Sequence, residues 1–153
     1  MKKRFLLVAL LAMVLVVTGC GNKEETKVLT CSRSATVTEG VKMELSYKAT
    51  YKGDYVEVIE TEEKIISDNT SILDTYKTAV EKMYAPYKDI EHYNSSVKVD
   101  GNTLISTTKI NYAKIDTDKL IEIDSANKSL IKDGKIKIED VRSMYETVGA
   151  ICE

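Results

Sequence analysis

VKMELSYKATYKGDYVEVIETEEKII, residues 41–66, decides the fold of this chain. Met43, Leu45, Tyr47, Ala49 and Tyr51 share one parity, while Glu44, Ser46, Lys48 and Thr50 share the other. A two-residue period with one apolar set is that of a half-buried strand with one wet face. Lys52-Gly53-Asp54 is a turn signal, and Tyr55 to Ile66 reads as the returning strand. Residues 28–38, VLTCSRSATVT, supply an earlier strand of the same meander.

Beyond this hairpin the period changes. Asp68-Asn69-Thr70-Ser71 is a cluster of helix-cap formers, and Ser71 with Asp74 fits a capping box. Ile72, Leu73, Tyr76, Ala79, Val80, Met83 and Tyr84 follow helical spacing, and Pro86 disfavours helical geometry at Ala85. Asp100-Gly101 predicts a type I′ hairpin turn between strands 90–99 and 103–112. Asp116-Thr117-Asp118 caps a short helix through Ile121, and Lys132-Asp133-Gly134-Lys135 marks a turn. Ile138, Val141, Met144, Tyr145 and Val148 form a final helix that Gly149 stops. The order predicts an α+β fold: an antiparallel sheet of about five strands with two or three helices packed on one face.

The chain opens on a different kind of segment. Lys2, Lys3 and Arg4 precede an apolar run from Phe5 to Val17. A helix of that length rises about 20 Å, short of a roughly 30 Å hydrocarbon core, so the run reads as a signal peptide. Val17-Thr18-Gly19-Cys20 resembles the lipobox of bacterial lipoproteins. That resemblance implies cleavage before Cys20 and a diacylglyceryl thioether on it. Two acyl chains anchor stably where one does not. Residues 1–19 are thus a lipoprotein signal peptide, 20–27 a lipidated cysteine and short linker, and 28–153 a single α+β domain. The expected location is the extracytoplasmic face of the cell membrane.

Residues 1–19 hold three of the 22 Lys and Arg and none of the 24 acids, leaving a net charge of −5. Such a balance argues against nucleic acid or anionic lipid as the main partner. With Cys20 acylated, Cys31 and Cys152 remain. A bridge between them would close more than a hundred residues and contribute on the order of 4–5 kcal/mol. Buried thiols and a redox pair are the alternatives, though no CxxC spacing supports the latter.

Catalytic signals are sparse. The one histidine, His92, has no nucleophile setting such as GxSxG, and reads as a surface residue. SLIKDGKIKIED lacks the oxygen ligands of an EF-hand, and Asp116, Asp118, Glu122 and Asp124 read as a solvated loop rather than a metal site. Glu57, Glu60, Glu62 and Glu63 offer carboxylates for glycoside hydrolysis, or simply a wet strand face. Tyr47, Tyr51 and Tyr55 share one sheet face if the turn preserves parity. They then form either a core stripe or an aromatic platform for a ligand.

The lipobox, then YKATYKGDYVEVIETEEKI, the helix leading into APYKDIEHY, and the closing DVRSMYETVGA resemble the YehR-like family of small bacterial lipoproteins. The likeness covers about residues 41–150 and implies a compact α+β lipoprotein domain with no assigned activity. It carries over no functional residue except Cys20, and it does not include Cys31 or Cys152. The expected function is a non-enzymatic, lipid-anchored binding or interaction module, needing no cofactor. Its partner would be an envelope protein or glycan; the alternative is a carboxylate-dependent envelope hydrolase.

Overall fold

The computed structural model describes residues 24–153. Residues 1–23, which hold the expected signal peptide, Cys20 and the start of the expected linker, lie outside the described residues. Three long strands come first: β1 (Thr26–Thr38), β2 (Val41–Lys52) and β3 (Tyr55–Ile66). Helix α1 (Thr70–Tyr84) follows, then β4 (Tyr93–Asp100) and β5 (Thr103–Asn111). The chain closes with α2 (Thr117–Ile123), the short strands β6 (Ile131–Lys132) and β7 (Lys135–Ile136), α3 (Ile138–Thr147) and β8 (Ile151–Cys152). The main sheet is antiparallel, in the order β4-β5-β3-β2-β1-β8, and β6-β7 is a separate hairpin. The α+β class stands. The sheet has six strands rather than five because two C-terminal residues, too few to show a period, pair with β1.

That sixth strand is held covalently. Cys31 lies opposite Cys152, and the two form a disulfide across 121 residues. Thr30 and Glu153 exchange both backbone hydrogen bonds at 3.0 and 2.8 Å, so the cysteines occupy the adjacent non-hydrogen-bonded pair, where side chains approach more closely.

Turn chemistry departs from the sequence reading at one hairpin. Asp100 pairs with Thr103, so the loop residues are Gly101 and Asn102, and of these only Gly101 has positive φ, +59°. That is the pattern of a type II′ turn, not the expected type I′. The type I′ pattern occurs at Asp133-Gly134 instead, with φ of +53° and +72°.

At α1 the cap is Asn69, whose side chain accepts from the Ser71 N–H, so Ser71 lies inside the helix rather than before it. Ala85 keeps helical dihedrals despite Pro86, and the chain tightens into a 3-10 turn over Ala85–Tyr87. Gly149, at φ +83°, follows α3 as expected.

Register determines what shares a face. Four cross-strand rows on the helix side read Ala35-Met43-Ile65-Leu104-Val99, Arg33-Leu45-Glu63-Ser106-Val97, Cys31-Tyr47-Thr61-Thr108-Ser95 and Leu29-Ala49-Ile59-Ile110-Tyr93. The outer two rows are apolar and each founds a core. Leu73 of α1 packs with Val41, Ile65 and Leu104; Leu120 of α2, and Val141 and Tyr145 of α3, pack with Leu29, Ala49 and Ile59. The helices of the described residues therefore all cover the same face and leave the other uncovered.

Candidate functional site

Between the two cores runs a polar belt formed by the middle rows. Glu63 sits in it half-buried, and burial raises its carboxyl above the usual range. The Tyr84 side chain, from the end of α1, lies beside Ser106, and that of Tyr145, from α3, beside Thr61. Tyr47 stacks on Tyr145 with ring centroids 3.9 Å apart and planes at 17°, and Tyr87 stacks on Tyr93 at 5.0 Å. Burial raises the phenols of Tyr47, Tyr84, Tyr93 and Tyr145, and pushes Tyr112 up to about 12. All these hydroxyls stay protonated at physiological pH and serve as hydrogen-bonding tips on apolar bodies.

On the uncovered face the register produces a different arrangement. The row Ile151-Ser32-Ser46-Glu62-Thr107-Ser96 crosses all six strands and is mostly small hydroxyls. One flanking row is Ser34-Glu44-Lys64-Ile105-Lys98, and the other is Thr30-Lys48-Glu60-Lys109-Asn94. Short residues form a floor and long charged ones form walls. Two grooves of about 750 and 420 Å³ lie along this floor and meet at Ser46 and Glu62. Together they make a trough perpendicular to the strands, about 24 Å long from the spacing of six strands.

The walls are held by ion pairs. Glu60 accepts from Lys109 at 2.8 Å and lies 3.8 Å from Lys48, while Lys64 reaches Glu62 at 2.9 Å. The hydrogen bond from Lys109 holds the Glu60 carboxyl below the usual range. On the floor, the Ser96 and Thr107 hydroxyls share a hydrogen bond of 2.8 Å. No tyrosine lines either groove. The trough offers hydroxyls and alternating charge to an extended polar chain, with no ring for stacking.

Residues singled out by sequence are placed as follows. Tyr51 pairs with Val56, but Lys52 pairs with Tyr55, so the two-residue turn breaks the parity on which the tyrosine stripe depended. A bulge restores the pattern only at the pairing of Thr50 with Val58. Tyr47 and Tyr51 pack against the core, whereas Tyr55 is exposed and carries Lys135 Nζ 4.9 Å from its ring centre. The acidic run is likewise divided. Glu60 and Glu62 face the trough, Glu63 faces the helices, and Glu57 binds Lys52 at 2.8 Å. Asp116 and Asp124 are spent as caps, accepting from backbone N–H groups at the starts of α2 and the following 3-10 turn. Among the described residues no group of three or more His, Cys, Asp or Glu is placed to hold a metal. His92 has φ +69° and lies 3.5 Å from Glu91.

The sequence profile of a family described as "Protein of unknown function (DUF1307)" matches residues 30–150. This chain belongs to the DUF1307 family. It is 28% identical over 153 residues to the "Uncharacterized lipoprotein Lmo0207" of Listeria monocytogenes, covering 97% of this chain and 94% of that one. It is also 28% identical over 124 residues to the "Uncharacterized lipoprotein Lin0239" of Listeria innocua, covering 78% and 75% of the two chains. In fold it resembles the NMR structure of the Escherichia coli YehR protein, with TM-score 0.56, 21% identity, and 86% and 92% of the chains covered. An NMR structure of a Streptococcus pneumoniae TIGR4 protein superposes with TM-score 0.53 at 17% identity, over 100% and 97%. Relatedness to the YehR-like fold therefore stands as the sequence suggested.

The trough is what sequence reasoning missed. Ser32, Ser96 and Thr107 carry no motif, Ser46 and Glu62 enter the sequence reading only as parts of a wet parity and an acidic run, and only the pairing register aligns the five. The alternating polar parity of residues 42–52 was the one available signal, and it marked the wet face without marking the row.

Proposed function

We propose that this protein is a lipid-anchored, extracytoplasmic binding module that holds an extended polar segment of an envelope partner in the trough of its open sheet face. The anchor is Cys20. Its support is the lipobox-like VTGC, together with a relative named a lipoprotein whose match spans 97% of this chain, a share that takes in position 20. No helix among the described residues is long and apolar enough to cross a membrane.

The observation that carries the binding reading is the trough itself: a small-residue floor between charged walls, on a sheet face that no helix of the described residues covers. With no aromatic ring along it, a protein segment suits it better than a glycan. The hydrolase alternative needs two acids converging on one site. Glu63 has the buried environment of a general acid, but its neighbours in the belt are Leu45, Ser106, Tyr47 and Thr61, with no second carboxylate in those rows.

A photo-crosslinking residue at Thr107, compared with one at Met83 on the exposed side of α1, tests the reading in intact envelopes. Protease-sensitive adducts from Thr107 alone are expected. Adducts from Met83 alone would move the interface to the helices, and muramidase-sensitive adducts would replace the protein partner with a glycan.

A further inference from the structure

One cavity lies apart from the trough, at the end of the sheet where the chain enters the fold. Glu24 rests against the β2–β3 turn, with its carboxylate within about 3.0 Å of where a Cβ on Gly53 would stand. Tyr55 follows that turn. It bridges Lys137, and the Ile138 N–H donates to the Asp54 carbonyl at 2.9 Å, so the β6–β7 hairpin and the start of α3 are tied to the same end. Between them is a basin of about 460 Å³ lined by Tyr55, Lys132, Asp133, Lys135, Lys137 and Asp140.

Two features of this basin bear on what it could hold. Lys132, Lys135 and Lys137 are exposed, make no ion pair among the described residues and gather around one basin, whereas of the trough-wall lysines 48, 64 and 109 are paired and only Lys98 is not. The Asp140 Oδ2 is the one side-chain polar atom among the described residues that is both buried and without a hydrogen-bond partner. Three unpaired cations beside one unfilled acceptor suit a ligand that is anionic and also carries a donor.

The place of the basin says where such a ligand comes from. The six residues from Cys20 to Glu25 span at most about 20 Å, so with Cys20 lipidated this end of the domain stays at the headgroup layer. We propose that the basin takes the phosphate of an anionic phospholipid headgroup of the bilayer to which the chain is tethered, with the lysines on the phosphate and Asp140 accepting from a headgroup hydroxyl. The contact rests on the anchor reading above. It is local: the net charge of −5 on residues 20–153 excludes general attraction to an anionic surface, and Asp133 and Asp140 themselves line the basin.

The test uses the lipidated protein in phosphatidylcholine vesicles with and without phosphatidylglycerol, reading amide exchange over residues 130–140. Exchange there is expected to slow roughly fivefold with phosphatidylglycerol and not elsewhere in the domain. Replacing Lys132→Gln, Lys135→Gln and Lys137→Gln together should abolish the difference without releasing the protein. Equal exchange in both vesicles would overturn the proposal. So would inorganic phosphate reproducing the slowing in phosphatidylcholine alone, since that makes the basin a free-anion site. Protein that fails to float with either vesicle would overturn the anchor and this contact with it, a result distinct from equal exchange on floating protein.

Discussion

The two faces of the central sheet obey the same two-residue alternation and do opposite things. On the helix side the rows run apolar, polar, polar, apolar, and the outer pair founds two separate cores. On the open side the rows run charged, hydroxyl, charged, and the shortest row becomes a trough. Burial fixes the first face: shifting the register by one residue would expose Ile65 and Leu104. The second face then inherits its alignment without contributing much to stability. Substitutions on the helix side should therefore cost folding energy, while those on the open side should alter binding alone.

The largest expected effect is at the covalent link. Replacing both Cys31→Ser and Cys152→Ser removes a closure of 121 residues, on the order of 4–5 kcal/mol. Denaturation midpoints with and without reductant check this, and coincident midpoints for wild type would show the link to be energetically idle. Next comes Leu73→Ala in the α1 core, where Leu73 is 1% exposed and about 2–5 kcal/mol is expected. Its open-face counterpart, Ser46→Ala, should stay within roughly 0.5 kcal/mol in the same melt. Equal losses at the two positions would erase the distinction between the faces.

Glu63→Gln should move stability the other way. Burial raises the folded-state pKa of Glu63, so the fold favours the protonated carboxyl. That contribution is complete below the unfolded value of 4.5 and is lost as pH rises through the folded value. The variant should melt roughly 1–3 °C above wild type at pH 7, converging with it toward pH 4. A gap independent of pH would contradict the buried-carboxyl account. The smallest effect belongs to Glu60→Gln in the trough wall, within about 0.5 kcal/mol and vanishing in high salt, because its partners are solvent-exposed. A larger, salt-insensitive loss would mean the wall is structural.

The hairpin of residues 41–66, the helices at 72–84 and 138–148, and the covered face were legible because each repeats its period over several residues. β8 was not, since Ile151-Cys152 is two residues long and is placed by a disulfide and by pairing with β1. Asp100-Gly101 misled on turn type because the strand continues through Asp100, which shifts the loop by one residue. The same one-residue arithmetic at Lys52–Tyr55 moved Tyr55 off the face of Tyr47 and Tyr51. The trough needed five registers at once, and a single chain states none of them. By contrast, the two cysteines of the link were countable from composition once Cys20 was assigned elsewhere.

The central claim is that the open face binds while the covered face folds, and filling the trough tests it most directly. Ser46→Tyr places a ring on the floor where the two grooves meet, at a solvent-facing strand position that tolerates an aromatic residue. With the crosslinker at Thr107, the account predicts an unchanged melting temperature and loss of the protease-sensitive adduct. A full-strength adduct on a normally folded Ser46→Tyr protein would contradict it.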